Sequence, residues 1–206
     1  MTMSTTAVMT DEYRPIGRPT RRVEVYGAGG ARRILRPARP ADVRAIAELV
    51  RPYAERRVLV AKDLISYFED IQEFTVAETG NGGEHGAAPG GHEIVGCGAL
   101  HVMWDDIAEV RTLAVHPDAL GTGLGSALLR ELITQARRMG LKRVFCLTFE
   151  EPFFCSHGFE PIEGTPVGAD VFSEMLRSHD DGLAAFLDLA RVKPNTLGNA
   201  RMLLHL

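Results

Sequence analysis

Cysteine is scarce in this chain. Three residues, Cys97, Cys146 and Cys155, stand among 206, with no C-x-x-C spacing. That excludes a disulfide framework and a zinc ribbon, and it fits a reducing compartment. Basic charge is not in excess either, since the formal net charge is −4, so the electrostatic footprint of a nucleic-acid binder is missing. No apolar run approaches the roughly 20 residues that cross a bilayer. The first ten residues, M-T-M-S-T-T-A-V-M-T, lack the basic start and apolar stretch of a secretory signal. The expectation is a cytoplasmic protein with neither a membrane nor a nucleic-acid partner. What is present is ordinary globular composition, 45% hydrophobic and 24% charged, and a length suited to one domain with an appendage.

Residues 1–31, rich in Thr, Arg, Pro and Gly, read as a flexible N-terminal arm. Residues 32–206 read as a single domain. A short strand, A-R-R-I-L-R-P, precedes Pro40, which suits the first turn of a helix. Val43, Ile46, Ala47, Val50 and Ala54 then recur at helical spacing. A second short helix follows, with Leu64, Ile65, Phe68 and Ile71 expected on one side. Phe74 to Ala77 reads as a strand and the Gly-rich stretch 80–91 as a long hairpin loop. The runs Ile94–Met103 and Glu109–Val115, joined by W-D-D, read as an antiparallel pair. A strand over Arg143–Phe149, helical turns near Val171–Leu176 and Leu183–Leu189, and a closing strand R-M-L-L-H-L complete the order. This is an α/β chain with a mixed sheet and one core.

The sharpest feature is a strand, then G-T-G-L-G, then an amphipathic helix over which Ala127, Leu128, Ile133 and Ala136 share the apolar side. A helix N-terminus offers unpaired backbone N–H groups and partial positive charge, and glycines let an anion approach them closely. That points to a diphosphate-bearing ligand. A tight strand-to-helix turn that binds nothing would use the same glycines, so both readings stay open on these residues alone. A P-loop is excluded because Gly125 is followed by Ser-Ala instead of Lys-Ser/Thr.

The stretch L-A-V-H-P-D-A-L-G-T-G-L-G-S-A-L-L, followed at the right distance by F-F-C-S-H-G-F, resembles the acetyl-CoA signature and the later aromatic element of the GNAT N-acetyltransferases. The resemblance spans about residues 32–206. It implies a mostly antiparallel mixed sheet of about six to seven strands flanked by helices. It also implies acetyl-CoA as co-substrate, no metal, and a small-molecule amine substrate, with a homodimer compatible. Leu49–Leu64, Val95–Val115, Val144–Phe154 and G-N-A-R-M-L-L are similar to short-form N-acetylglutamate synthases, a branch that acetylates an amino acid at the start of arginine biosynthesis. Glutamine, another small amine or a peptide N-terminus is the alternative substrate, and a non-catalytic acyl-CoA sensor the alternative role. Leu120 stands where the signature usually has Gln or Arg. Phe154 stands where many relatives have a tyrosine acid, as it does in that branch.

The resemblance assigns Leu113, Ala114, Val115, Leu120, Gly121, Thr122, Gly123, Leu124, Gly125 and Ser126 to acetyl-CoA. Glu109 is the candidate base, because an amine must lose its ammonium proton before attacking a thioester. Strand alternation would put Glu109 and Arg111 on one face with Leu113 and Val115. A structural Glu109–Arg111 ion pair is the alternative for that residue. Lys62, Arg111, Asn199 and Arg201 are the candidates for gripping substrate carboxylates; solvated surface cations are the alternative for Lys62 and Arg201. The cysteines have no readable base partner, so transfer is expected to be direct, without an acyl-enzyme.

Overall fold

The computed structural model describes residues 22–27, 30–79, 93–187, 189 and 198–206. Eight strands form one sheet: β1 (Val23–Tyr26), β2 (Arg32–Pro37), β3 (Phe74–Thr79), β4 (Ile94–Val102), β5 (Ile107–Val115), β6 (Arg143–Thr148), β7 (Glu160–Pro161) and β8 (Ala200–His205). Their order is β1-β2-β3-β4-β5-β6-β8-β7. Every neighbouring pair is antiparallel except β5 and β6, which run parallel. Two strands lay beyond the sequence reading. β1 falls inside the segment assigned to the arm, where V-E-V-Y is too short for its alternation to stand out, and it pairs with β2. β7 is two residues long and exists only by pairing with β8. The stretch 80–91, read as a hairpin loop, lies outside the described residues.

Six helices flank the sheet among the described residues: α1 (Val43–Glu55), α2 (Leu64–Glu69), α3 (Leu124–Arg138), α4 (Glu151–Cys155), α5 (Ala169–Met175) and α6 (Asp181–Phe186). On one face, Val43, Ile46, Leu49 and Val50 of α1 and Tyr67 of α2 pack on Phe74, Val76, Cys97 and Ala99. Beside them, Met175 of α5 and Leu183 and Phe186 of α6 pack on Ile107, Phe145 and Leu203. The opposite face carries α3, whose Leu129, Leu132, Ile133 and Ala136 join Phe154, Phe159 and Met202. The expected apolar side of α2 is not the buried one. Within α2, Tyr67 is buried whereas Leu64, Ile65 and Phe68 are exposed, because a six-residue helix resting on α1 covers only one narrow stripe; of the expected set only Ile71, past the helix end, is buried.

Two irregularities in β5 shape the molecule. Cys97 lies opposite Ala114 and Ala99 opposite Arg111, so Gly98 faces both Thr112 and Leu113. Thr112 takes the bulge, with φ of 51°, a conformation costly for a β-branched residue. The second irregularity is a lost partner. β5 pairs with β6 only over Ile107–Val110 and Arg143–Cys146, although β5 runs on to Val115. The two strands therefore part into a wedge.

The sheet is clamped to the start of α1 by charge. Arg36 of β2, 6% exposed, donates through Nε to Glu78 Oε2 of β3 at 2.7 Å. Its two terminal nitrogens donate to both oxygens of Asp42, at 2.7 and 3.0 Å. Asp42 also accepts the Arg39 backbone N–H at 2.8 Å, closing the turn that opens α1. Glu78 is 2% exposed, so removing its cation would leave a buried charge uncompensated. Arg36→Leu should cost about 3–5 kcal/mol of folding stability, read from a urea melt. A loss under about 1 kcal/mol would put this cluster among merely solvated pairs.

Candidate active site

β5 delivers the site in two halves. Past the bulge, Leu113 packs with α3-side residues, while Ala114 joins the α1 cluster. Ahead of it, Glu109 lies against the start of α6, because a Cβ added to Gly182 would fall 2.1 Å from Glu109 Oε2. The extra residue at Thr112 reverses the side-chain alternation. Glu109 and Arg111 therefore share the α6 face, and Leu113 and Val115 the α3 face. This corrects the expectation that all four lie together.

The wedge opens into a cavity of about 720 Å³. Its wall includes Leu113, Ala114, Val115, Leu120 and Gly125 together with Lys62, Glu109, Arg111 and Asn199. Gly121 and Gly123 adopt φ of 72° and 85°, Gly123 being the residue that caps α3. A Cβ added to either would meet no atom within 4 Å. Glycine is needed there for backbone conformation, and the space in front of the helix N-terminus stays open. The first hydrogen bond across this end, Ala127 N–H to Gly123 O at 3.0 Å, leaves the amides of Leu124, Gly125 and Ser126 directed beyond the helix. Thr122 Oγ1 closes the turn by donating to Ala119 O at 2.7 Å. A helix N-terminus whose amides point outward past glycines fits a diphosphate.

Glu109 is 5% exposed. Burial pushes its carboxyl above the ordinary value, Arg111 pulls it down, and Asp180 pushes it up again. Arg111 donates from Nε to Glu109 Oε2 at 2.8 Å and from Nη2 to Asp180 Oδ1 at 2.7 Å. Burial alone would raise Asp180 too, but Arg111 and the Leu183 N–H hold it below the usual carboxylate range. One cation thus serves two carboxylates.

Lys62 Nζ donates to Asp70 Oδ2 at 2.7 Å on the cavity wall. Asn199, just ahead of β8, has its buried Oδ1 without a hydrogen-bond partner among the described residues. Arg201 is not on that wall. It donates to the Gly164 carbonyl at 2.8 Å and to the Phe186 carbonyl, because it shares the Leu203 face of β8, which α6 covers. The structure therefore joins Lys62, Arg111 and Asn199 to Glu109 and sets Arg201 behind them. Tyr53 lines the cavity as well and donates its hydroxyl to the Val115 carbonyl. His101, opposite Glu109 on β4, has Nδ1 2.7 Å from Glu73 Oε1. Sequence reasoning passed over Tyr53, Asp180 and Gly182. Tyr53 sat within a helical period, and between Glu163 and Ala190 the sequence suggests helical turns near Val171–Leu176 and Leu183–Leu189 but no chemistry.

The cysteines stand apart from this chemistry. Cys97 and Cys146 are buried, which pushes the Cys97 thiol to about 12 and the Cys146 thiol upward as well. Cys155 is exposed on α4.

Comparison with known proteins agrees with this geometry. Over 173 residues the chain is 53% identical to the amino-acid acetyltransferase of Mycobacterium tuberculosis, covering 84% of this chain and 94% of that protein. The crystal structure of Rv2747 from the same organism, in complex with CoA and NLQ, superimposes with a TM-score of 0.74 at 52% identity, covering 84% of this chain and 98% of that one. N-acetylglutamate synthase of Neisseria gonorrhoeae, complexed with coenzyme A and N-acetyl-glutamate, shares the fold with a TM-score of 0.63 at 24% identity, over 84% of this chain and 35% of that one. Residues 44–159, more than half of the chain, match the Acetyltransferase (GNAT) family. With the parted strands and the glycine cradle in place, the chain belongs to the GNAT acetyltransferases.

Proposed function

We propose that the protein transfers acetyl from acetyl-CoA to the α-amino group of L-glutamate, the opening step of arginine biosynthesis, in one direct step. The observation that carries this reading is the bulged β5. It presents a buried carboxylate from one face and an open helix N-terminus from the other to a single cavity. The amides of Leu124, Gly125 and Ser126 would hold the diphosphate, with the Leu113–Val115 backbone alongside the pantetheine arm. The acetyl group arrives as a thioester, a carbonyl open to attack by a free amine. Beyond Val110, β5 keeps its ladder to β4 but has none to β6, and its edge on the wedge side is where N–H groups can polarise that carbonyl. Glu109 takes the ammonium proton, directly or through a water, so that the amine can attack. Lys62 and Arg111, with Asn199 as a neutral donor, orient the amino acid. Arg201 acts from behind, tying the end of α6 to β8.

One observation favours a second substrate, L-glutamine. The cavity wall carries six carboxylates (Asp63, Glu69, Asp70, Glu109, Glu150 and Asp180) against two permanent cations, Lys62 and Arg111. Both cations are already ion-paired. A neutral side-chain amide enters such a wall at lower desolvation cost than a second carboxylate. Release of free thiol from acetyl-CoA, measured against a panel of amino acids, tests both. Turnover with glutamate well above glutamine supports the first reading, the reverse order supports the second, and turnover with neither removes the amino-acid assignment.

Glu109→Gln should lower kcat about 10²- to 10⁴-fold with acetyl-CoA affinity retained. The base must be ionised to act, and burial raises its pKa above the ordinary 4.5. Activity should therefore climb with pH through a limb lying above that value, and Glu109→Gln should erase the limb. Gly123→Val should weaken acetyl-CoA binding at least about tenfold in a folded protein, because valine at φ of 85° forces the cradle open. Unchanged affinity, read by calorimetry, would remove the cradle from the CoA site.

A further inference from the structure

We propose that Asp180, the residue leading into α6, is a positioning residue that sets the orientation and proton affinity of Glu109 by sharing the Arg111 guanidinium. This inference rests on the reading of Glu109 as the base. It starts from a difficulty in that reading. A carboxylate two residues from an arginine on the same strand face, with the whole guanidinium to itself, would be a weak base. Here the fork is divided. Arg111 Nε donates to Glu109 Oε2 at 2.8 Å and Nη2 to Asp180 Oδ1 at 2.7 Å.

The side chains involved are well withdrawn from water, Glu109 at 7%, Arg111 at 11% and Asp180 at 28% exposure, so their mutual charges are poorly screened. The trio carries a net charge of −1, which favours a proton arriving at Glu109. The pKa directions agree: burial is the largest influence and raises Glu109, Arg111 acts downward and Asp180 upward.

Geometry fixes the carboxylate as well as its charge. Asp180 caps α6, accepting the Leu183 N–H at 2.7 Å, and this places Gly182 flat against Glu109. Any side chain at 182 would overlap Oε2. One residue thus holds the helix whose glycine forms the floor under the base. Among the described residues, further titratable groups face Glu109 or share its cavity. His101 on β4 is engaged with Glu73. Cys146 on β6 has its thiol pushed upward by burial. His179 lies on the same cavity wall. Asp180 is the acid joined to Glu109 through a shared cation.

The test is Asp180→Asn, which keeps an acceptor for the Leu183 N–H while removing the charge; Asp180→Ser is a second neutral cap should the first fail to fold. The Glu109 carboxyl is titrated by carbon-13 NMR, with Glu109→Gln supplying the assignment, and kcat/KM is followed against pH. The Glu109 midpoint should fall by about one pH unit in the neutral variants. The acidic limb of kcat/KM should move down with it, kcat above the limb should drop several-fold, and acetyl-CoA affinity should hold. Asp180→Glu should return the midpoint toward wild type. A merely structural cap would lower the melting temperature and leave the midpoint where it was, and that result overturns the proposal. The base reading fails separately, through a Glu109→Gln enzyme of near-normal turnover, while the NMR midpoint still decides whether Asp180 sets Glu109.

Discussion

Strand β5 cannot stay paired with β6 beyond Val110, and the functional surface depends on that parting. A sheet that remained closed would bury the backbone of residues 111–115 in ladder hydrogen bonds. With the strands apart, the same backbone becomes the wall of a cavity. The bulge at Thr112 works with the parting by changing which way the remaining side chains point. Glu109 and Arg111 enter from the α6 face, while Leu113 and Val115 stay with α3. In the proposed reaction, a donor at the helix N-terminus and an acceptor near Glu109 meet along one strand.

In two clusters of buried charge, one arginine serves two acids. Arg36 does so for Glu78 and Asp42, Arg111 for Glu109 and Asp180. The two clusters have different consequences. The first joins the second and third strands to the turn that opens α1, where removing a partner strands a charge in the interior. In the second, one acid, the proposed base, faces the cavity and the other starts a helix. A planar guanidinium can divide its donors between two carboxylates in fixed directions, which a lysine's point charge could not do as well.

The acid-rich wall bears on specificity. Cations that could grip a substrate are present, but each is already partnered, Lys62 by Asp70 and Arg111 by two carboxylates. A substrate carboxylate must compete for them, and each additional one does so at greater cost. Asn199 has a buried Oδ1 unpartnered among the described residues, an acceptor that suits a substrate N–H and not a carboxylate oxygen.

Local chemistry made part of this molecule legible from its residues. The glycines at 121 and 123 mark a turn of positive φ before a helix, and the helical spacing of α1 and α3 points to their core sides. These are properties of neighbours in sequence, and the family motifs are written in the same short stretches. The tertiary structure decided everything that depends on phase or on distant partners. One extra residue at Thr112 reverses the alternation that placed Glu109 beside Leu113, and no local pattern announces a bulge. The face of α2 is set by where α1 lies, so Tyr67 went in and Ile65 stayed out. Arg201 looked like a substrate grip until α6 was found covering its side of β8. Asp180 and Arg111 lie 69 residues apart, and only packing α6 onto the sheet joins an unremarkable loop acid to Glu109 through Arg111.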